Sequence, residues 1–255
     1  MDELIRDLYG EPKPDPHAAA RVWRRMAARR RRRRLSWLAM IPAVAALALV
    51  LVNVLPGEQP LEEGRSILLT AAASAESSAT AGTYWHVRKS RDGTESELWV
   101  TRQGKAWTAE RGGAARIAGR SPFSMAGRDL TYQQIQALPS DAGELRERVS
   151  AMLPPGSQGL LADALAGLLW TKPSPPGVRA AAYRALADLP GVRYLGVVTD
   201  EHGRRGEAFL FSLPSGVQRT LTIDPASSQV LSSKDGTGRS EVVLAAGWTD
   251  EGPRP

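Results

Sequence analysis

The sequence predicts an α+β domain, a curved antiparallel sheet packed with helices, preceded by one transmembrane helix. Three observations predict it. Residues 35–55 form an apolar run of 21 residues without a charge, directly behind six consecutive arginines. Beyond that run the hydrophobic period is helical, then alternating, then helical, then alternating again. Strands, then helices, then strands joined by short turns are the order of an antiparallel α+β fold, and about 190 residues are enough to bury a core.

The charge is divided unevenly. The chain has 255 residues, 33 Lys+Arg and 27 Asp+Glu, for a net charge of +6. Residues 1–35 hold 11 basic and 5 acidic residues, which leaves 22 of each for the rest of the chain. The whole excess therefore lies before residue 36. A DNA-binding domain would carry such charge on a folded surface able to read a groove. Here it abuts an apolar segment, so no nucleic-acid partner is expected.

That segment, LSWLAMIPAVAALALVLVNVL, would be about 31 Å long as a helix, which matches a hydrocarbon core of roughly 30 Å. Pro42 would kink it rather than break it, because lipid-embedded helices satisfy the freed carbonyl locally. Arg29, Arg30, Arg31, Arg32, Arg33 and Arg34 stand on one side, with Trp37 at the interface, and Glu58, Glu62 and Glu63 stand on the other. The asymmetry predicts a cytoplasmic N-terminus and an extracytoplasmic C-terminal domain in the cell membrane. A cleaved signal peptide fits less well: the apolar run is too long, and Ala73-Ser74-Ala75 lies about 20 residues past its end. A twin-arginine signal and a buried soluble helix fit less well still. The expected organisation is a tail over 1–34, a membrane helix over 35–55, a linker over 56–59 and an external domain over 60–255.

In the tail, Asp15 reads as an N-cap with Pro16 at the first helical position. Val22, Trp23 and Met26 make a small apolar patch on the helix that follows. That patch is a candidate docking surface for a cytoplasmic partner. The competing reading is a juxtamembrane helix lying on anionic headgroups, with membrane lipids as its only partner.

In the external domain, Leu61, Leu68, Ala72 and Ala75 mark a helix over about 60–76. TYWHVRK and SELWVTR around Asp92-Gly93 form a hairpin, and Gly104 turns into a short strand around Trp107. Residues 111–127 read as a loop with at most one strand. Asp141 and Glu144 open a helix that ends near Leu153. Ser157 is expected to cap a second helix with Leu160, Leu161, Ala164, Leu165 and Leu168 on one face. Ser174 with Pro175 is expected to open a third, stopped by Pro190-Gly191. VRYLGVVT, GEAFLFSL, VQRTLTID, QVLSS and EVVLAAGW then alternate between tight turns.

The inventory for chemistry is thin. The absence of Cys removes disulfides, thiolate metal sites and a Cys nucleophile. The three histidines are His17 in the tail, His86 in a strand and His202 in a turn. Nucleophile-elbow, phosphate-loop, zinc-protease and dinucleotide motifs are missing from the sequence. No catalytic residue, metal or cofactor is expected. The aromatic residues Tyr84, Trp85, Trp99 and Trp107 fall in three successive strands. Large rings usually belong to a core. The alternative is that Trp85, Trp99 and Trp107 line a groove for an apolar ligand.

The stretch PSPPGVRAAAYRALADLPGVRYLGVVTDEHGRRGEAFLFS, followed by LTIDPASSQVL, resembles the C-terminal signature of an uncharacterised family of actinobacterial single-pass membrane proteins. These are commonly found beside extracytoplasmic-function sigma factors. Arg179, Tyr183, Arg184, Ala185, Leu186, Leu189, Pro190, Gly191, Val192, Asp200, Gly203, Gly206, Asp224 and Pro225 carry the resemblance. LPSDAGELRERVSAML resembles the family's helix and YWHVR its first strand. The resemblance implies membrane placement and a sigma factor or other cytoplasmic regulator as partner. The order of elements also resembles lipoprotein-carrier-like domains and periplasmic sigma-E regulator sensors, which implies an apolar ligand on the concave face. Zinc-binding anti-sigma domains carry one His and two Cys, and this tail has His17 alone. The expected function is a non-enzymatic role in envelope signalling or sigma-factor regulation. The alternative is a lipid- or lipoprotein-binding module.

Overall fold

The first helix, α1 (Leu61–Glu76), buries Leu68, Ala71, Ala72 and Ala75. The face expected from the spacing is therefore the face that packs. The computed structural model describes residues 61–254, apart from 79, 111 and 119–121. Among the described residues no helix is long and apolar enough to cross a membrane. The run at 35–55, the arginines at 29–34, Trp37 and the patch of Val22, Trp23 and Met26 lie outside them.

The described residues form eleven strands, the longer of which follow the expected periodicities. They are β1 (Tyr84–Arg91), β2 (Thr94–Thr101), β3 (Ala106–Glu110), β4 (Arg116–Ile117), β5 (Phe123–Met125), β6 (Arg128–Leu130), β7 (Arg193–Thr199), β8 (Arg205–Ser212), β9 (Gln218–Asp224), β10 (Gln229–Asp235) and β11 (Ser240–Thr249). Nine form one antiparallel sheet in the order β4-β3-β2-β1-β11-β10-β9-β8-β7. The two meanders join where β11 pairs with β1, Trp85 opposite Trp248 and Val87 opposite Ala246. Register shifts at Arg88/Lys89, Tyr194/Gly196 and Val230/Ser232 bend individual strands, and the large sheet is curved.

Between the meanders lie α2 (Tyr132–Gln136), α3 (Ala142–Met152), α4 (Leu161–Trp170) and α5 (Pro176–Ala187). Asp141 caps α3 as expected, its carboxylate accepting from the Glu144 N–H at 2.9 Å. Ser157 does not cap α4. A 3-10 turn over Gln158–Leu160 runs directly into that helix, and Ser157 makes no capping bond. Ser174 does not cap α5 either: Pro175 holds the N-cap position, and the Ser174 hydroxyl is buried without a partner.

Residues 111–127, read as mostly loop, contribute β4 and half of a second sheet. β5 and β6 pair through a turn in which Ala126 and Gly127 both have positive φ, 50° and 80°. Three-residue strands are too short to display alternation. α2 carries a full capping box from Thr131 and Gln134, a T-x-x-Q pattern that was readable.

The core lies between the helices and one face of the sheet. α4 buries Ala164, Leu165, Ala166, Leu168, Leu169 and Trp170, more than a single stripe. Each fully buried Leu there contributes about 1.5–3 kcal/mol. α5 runs through the middle, packed against α1, α3 and α4, with Ala180, Ala181, Ala182 and Ala185 permitting close approach. A Cβ on Gly64 would lie 2.6 Å from the Cβ of Tyr194, so this glycine lets α1 approach β7.

Candidate functional site

The tryptophans expected to line one groove are divided between the two faces of the sheet. Trp85 points into the core beside the helices, 2% exposed, with its ring edge-on to Trp248 at 6.1 Å. Trp99 lies on the opposite face. The register sets it against His86 on one side and Trp107 on the other. Its ring stacks on His86 at 4.8 Å, and Tyr84 meets Trp107 edge-on. Strand alternation forbids Trp85 and Trp99 from sharing a wall, because Trp85 pairs with Val100 rather than Trp99. The groove of Trp85, Trp99 and Trp107 is therefore corrected: Trp85 is a core residue, and the other two belong to the far face.

A groove exists elsewhere, between the inner face of the sheet, the β5–β6 hairpin and the C-terminal end of α4. It has two adjoining compartments. The outer one, of about 550 Å³, is walled by Val87, Leu98 and Ala118. The inner one, of about 340 Å³, is bounded by Phe123, Met125, Ala164 and Leu221. Lys89, Pro122, Ser124, Trp170 and Thr171 border both compartments. Volumes of this order suit a small ligand. Trp170 ends the most apolar helix of the domain, which places its ring at the junction.

The charges are distributed asymmetrically. In the inner compartment Lys89 donates to Glu241 at 2.8 Å and lies 5.6 Å from the Trp170 ring centroid. Arg91 shares the Glu241 carboxylate. Burial works against ionisation of Glu241, but the hydrogen bonds and charges of Lys89 and Arg91 prevail and hold it below the usual carboxylate range. Arg219 pairs with Asp163. Lys172 is different. It is 4% exposed, and its ammonium donates to the Thr171 hydroxyl at 3.0 Å. No carboxylate lies within ion-pair distance of it among the described residues. Burial pushes it down to about 8, with Asp163 opposing. The outer compartment, which Lys89 also borders, is lined by Glu97, Glu110 and Asp129.

A second polar cluster is structural. Arg179 of α5 donates to the carbonyl of Ser228 at 2.7 Å and to its hydroxyl at 3.1 Å, and Tyr183 donates to the same carbonyl. Ser228 is fully buried in the β9–β10 turn with φ of 55°. Burial lowers Arg179 and raises Tyr183 from their ordinary values. The cluster clasps α5 to the sheet.

Sequence reading missed Lys172 and Trp170. The available signal was a lysine two residues past a nearly all-apolar helix, where a long cation is forced to lie against buried surface. Among the described residues no group of three or more His, Asp or Glu is placed to hold a metal. His86 contacts Glu97 at 2.8 Å on the far face and does not itself border the groove.

No protein-family model matches the chain, and no curated protein matches it. The family resemblance, drawn chiefly from residues 173–231, is thus unaccompanied by a family match. Among solved structures the chain is similar to one described as "Crystal structure of MucB in complex with MucA(peri)", at 15% identity and a TM-score of 0.29. The match covers 75% of this chain and 57% of that one, so this chain spans little more than half of its length. A likeness at that TM-score is too slight to bear on function.

Proposed function

We propose that this chain is a single-pass, non-enzymatic envelope-signalling protein whose external domain binds a small ligand in the groove beside α4. Residues 35–55 hold it in the cell membrane. The N-terminal tail faces the cytoplasm, where Val22, Trp23 and Met26 meet a sigma factor or another cytoplasmic regulator. The observation that carries the reading is the groove itself. It is a two-compartment cleft lined by apolar walls and a few charged groups, with no His in its lining. Such a lining favours binding over bond breaking. The membrane part rests on the arginine run and the apolar segment behind it.

Two measurements test it. An alkaline phosphatase reporter fused after Pro255 is expected to be active outside the cytoplasm, and a cytosolic reporter signal alone would overturn the topology. Deleting residues 1–34 is expected to alter transcription in the same direction as deleting the whole chain. An unchanged transcriptome in both strains would overturn the signalling role. The apolar wall of Val87, Leu98 and Ala118 favours a second reading, a lipid- or lipoprotein-binding module. In that case lipid should co-purify with the chain by mass spectrometry, and the tail deletion should leave transcription unchanged.

A further inference from the structure

Among the described residues three cations border the inner compartment, and two of them already face a carboxylate: Lys89 faces Glu241, and Arg219 faces Asp163. Lys172 alone does not. Its ammonium sits over Gly167, which also borders the cavity; a Cβ there would lie 3.0 Å from Nζ. The Thr171 hydroxyl donates to the Gly167 carbonyl at 2.6 Å, so it meets Lys172 as an acceptor. An ammonium has three donors. Two of the three on Lys172 have no protein acceptor among the described residues.

Burial works against the charged ammonium, and among the described residues the Thr171 hydroxyl, the carbonyl end of α4 and the more distant Asp163 charge are what offset it. An incoming oxyanion would supply the counter-charge that Lys172 lacks, since Glu241 and Asp163 already balance Lys89 and Arg219 in the same compartment. In the outer compartment Glu97, Glu110 and Asp129 outnumber Lys89 and repel an anion. An amphiphilic ligand therefore has one favourable orientation, with its anionic head inward and its apolar part along Leu98 and Val87.

We propose that the inner compartment is an oxyanion subsite, in which Lys172 takes the phosphate or carboxylate head of a single-chain amphiphile. This rests on the reading of the groove as a ligand site and adds the class of ligand.

The test uses the full chain in phosphatidylcholine nanodiscs, with empty discs subtracted, and calorimetric titration with hexyl phosphate, hexyl glucoside and inorganic phosphate. Hexyl phosphate is expected to bind more tightly than inorganic phosphate. Lys172→Met is expected to weaken hexyl phosphate by about tenfold to a hundredfold, the worth of one charged hydrogen bond. Lys172→Arg should stay within a few-fold of wild type, and hexyl glucoside should bind all variants alike. Lys172→Gln serves as a second neutral variant, and thermal melts in the same discs establish that each variant is folded.

If hexyl phosphate and hexyl glucoside bind equally and the neutral variants change neither, the oxyanion subsite is overturned while the groove reading stands. If inorganic phosphate binds as tightly as hexyl phosphate with the same dependence on Lys172, the site serves a free ion, and the amphiphile is overturned. If none of the three binds, the groove reading itself fails and the subsite with it.

Discussion

Arg179 on α5 donates to the backbone carbonyl of Ser228 at 2.7 Å, spanning 49 residues to fix the β9–β10 turn against the helical layer. Tyr183, one helical turn further on, donates to the same oxygen at 3.1 Å. A buried carbonyl with two donors tolerates the loss of one better than the loss of both. Tyr183→Phe is expected to cost about 1 kcal/mol and Arg179→Ala about 3 kcal/mol, the latter also opening a cavity. Chemical denaturation should show both, and an Arg179→Ala cost no larger than that of Tyr183→Phe would remove Arg179 from the clasp.

Lys172 is expected to destabilise the folded domain near neutral pH. Its folded pKa, about 8, lies below the ordinary lysine value of 10.5. Between those values the unfolded chain binds more protons than the folded one, so its contribution to stability rises with pH across that window. Lys172→Met should raise stability at pH 7 by about 1–3 kcal/mol. The advantage of the variant should shrink between pH 8 and 10.5. Melting curves of the two proteins across that range provide the check, and parallel pH profiles would contradict it.

Glu241 titrates with the opposite sign. Lys89 and Arg91 hold its folded pKa below the ordinary glutamate value of 4.5, despite burial. Its contribution is present above pH 4.5 and is lost as pH falls through the folded value. Glu241→Gln should flatten the acid limb of the stability curve below pH 4.5 relative to wild type.

Gly206 lies where β8 crosses the β9–β10 hairpin. A Cβ there would lie 2.7 Å from the Ile223 carbonyl oxygen and 2.8 Å from the side chains of Leu231 and Thr222. The backbone oxygen cannot step aside as a flexible side chain can. Gly206→Ala is expected to cost about 1–3 kcal/mol in denaturant titration.

Trp170 and Trp99 separate the groove from the far face. Trp170→Ala should weaken binding of hexyl glucoside and hexyl phosphate alike. Trp99→Ala should lower the melting temperature while leaving both affinities unchanged, since Trp99 does not border the groove. Loss of binding in Trp99→Ala at full folding would restore the aromatic groove that strand register argues against.

Much of the fold was legible in the sequence. TYWHVRK-DG-SELWVTR announced β1 and β2, and the turns at Asp200–Gly203 and Pro214–Gly216 separated β7, β8 and β9 where the alternation breaks. The misreadings have physical causes. Ser157 and Ser174 looked like caps because cap chemistry is local, but a 3-10 turn and a second proline determined where those helices begin. The β5–β6 hairpin escaped because its strands are three residues each.

By itself the sequence determined the order of the longer helices and strands, the neutrality of the chain beyond residue 35, and the apolar character of α4. Periodicity and composition are properties of neighbouring residues, and neighbours suffice to reveal them. Only the tertiary structure decided which face of β1 meets the helices, that β11 closes on β1 from about 150 residues away, and that Lys172 lies unpaired beside Trp170 in a groove. Those outcomes depend on register and packing between distant segments, where a shift of one residue exchanges the two faces of a strand.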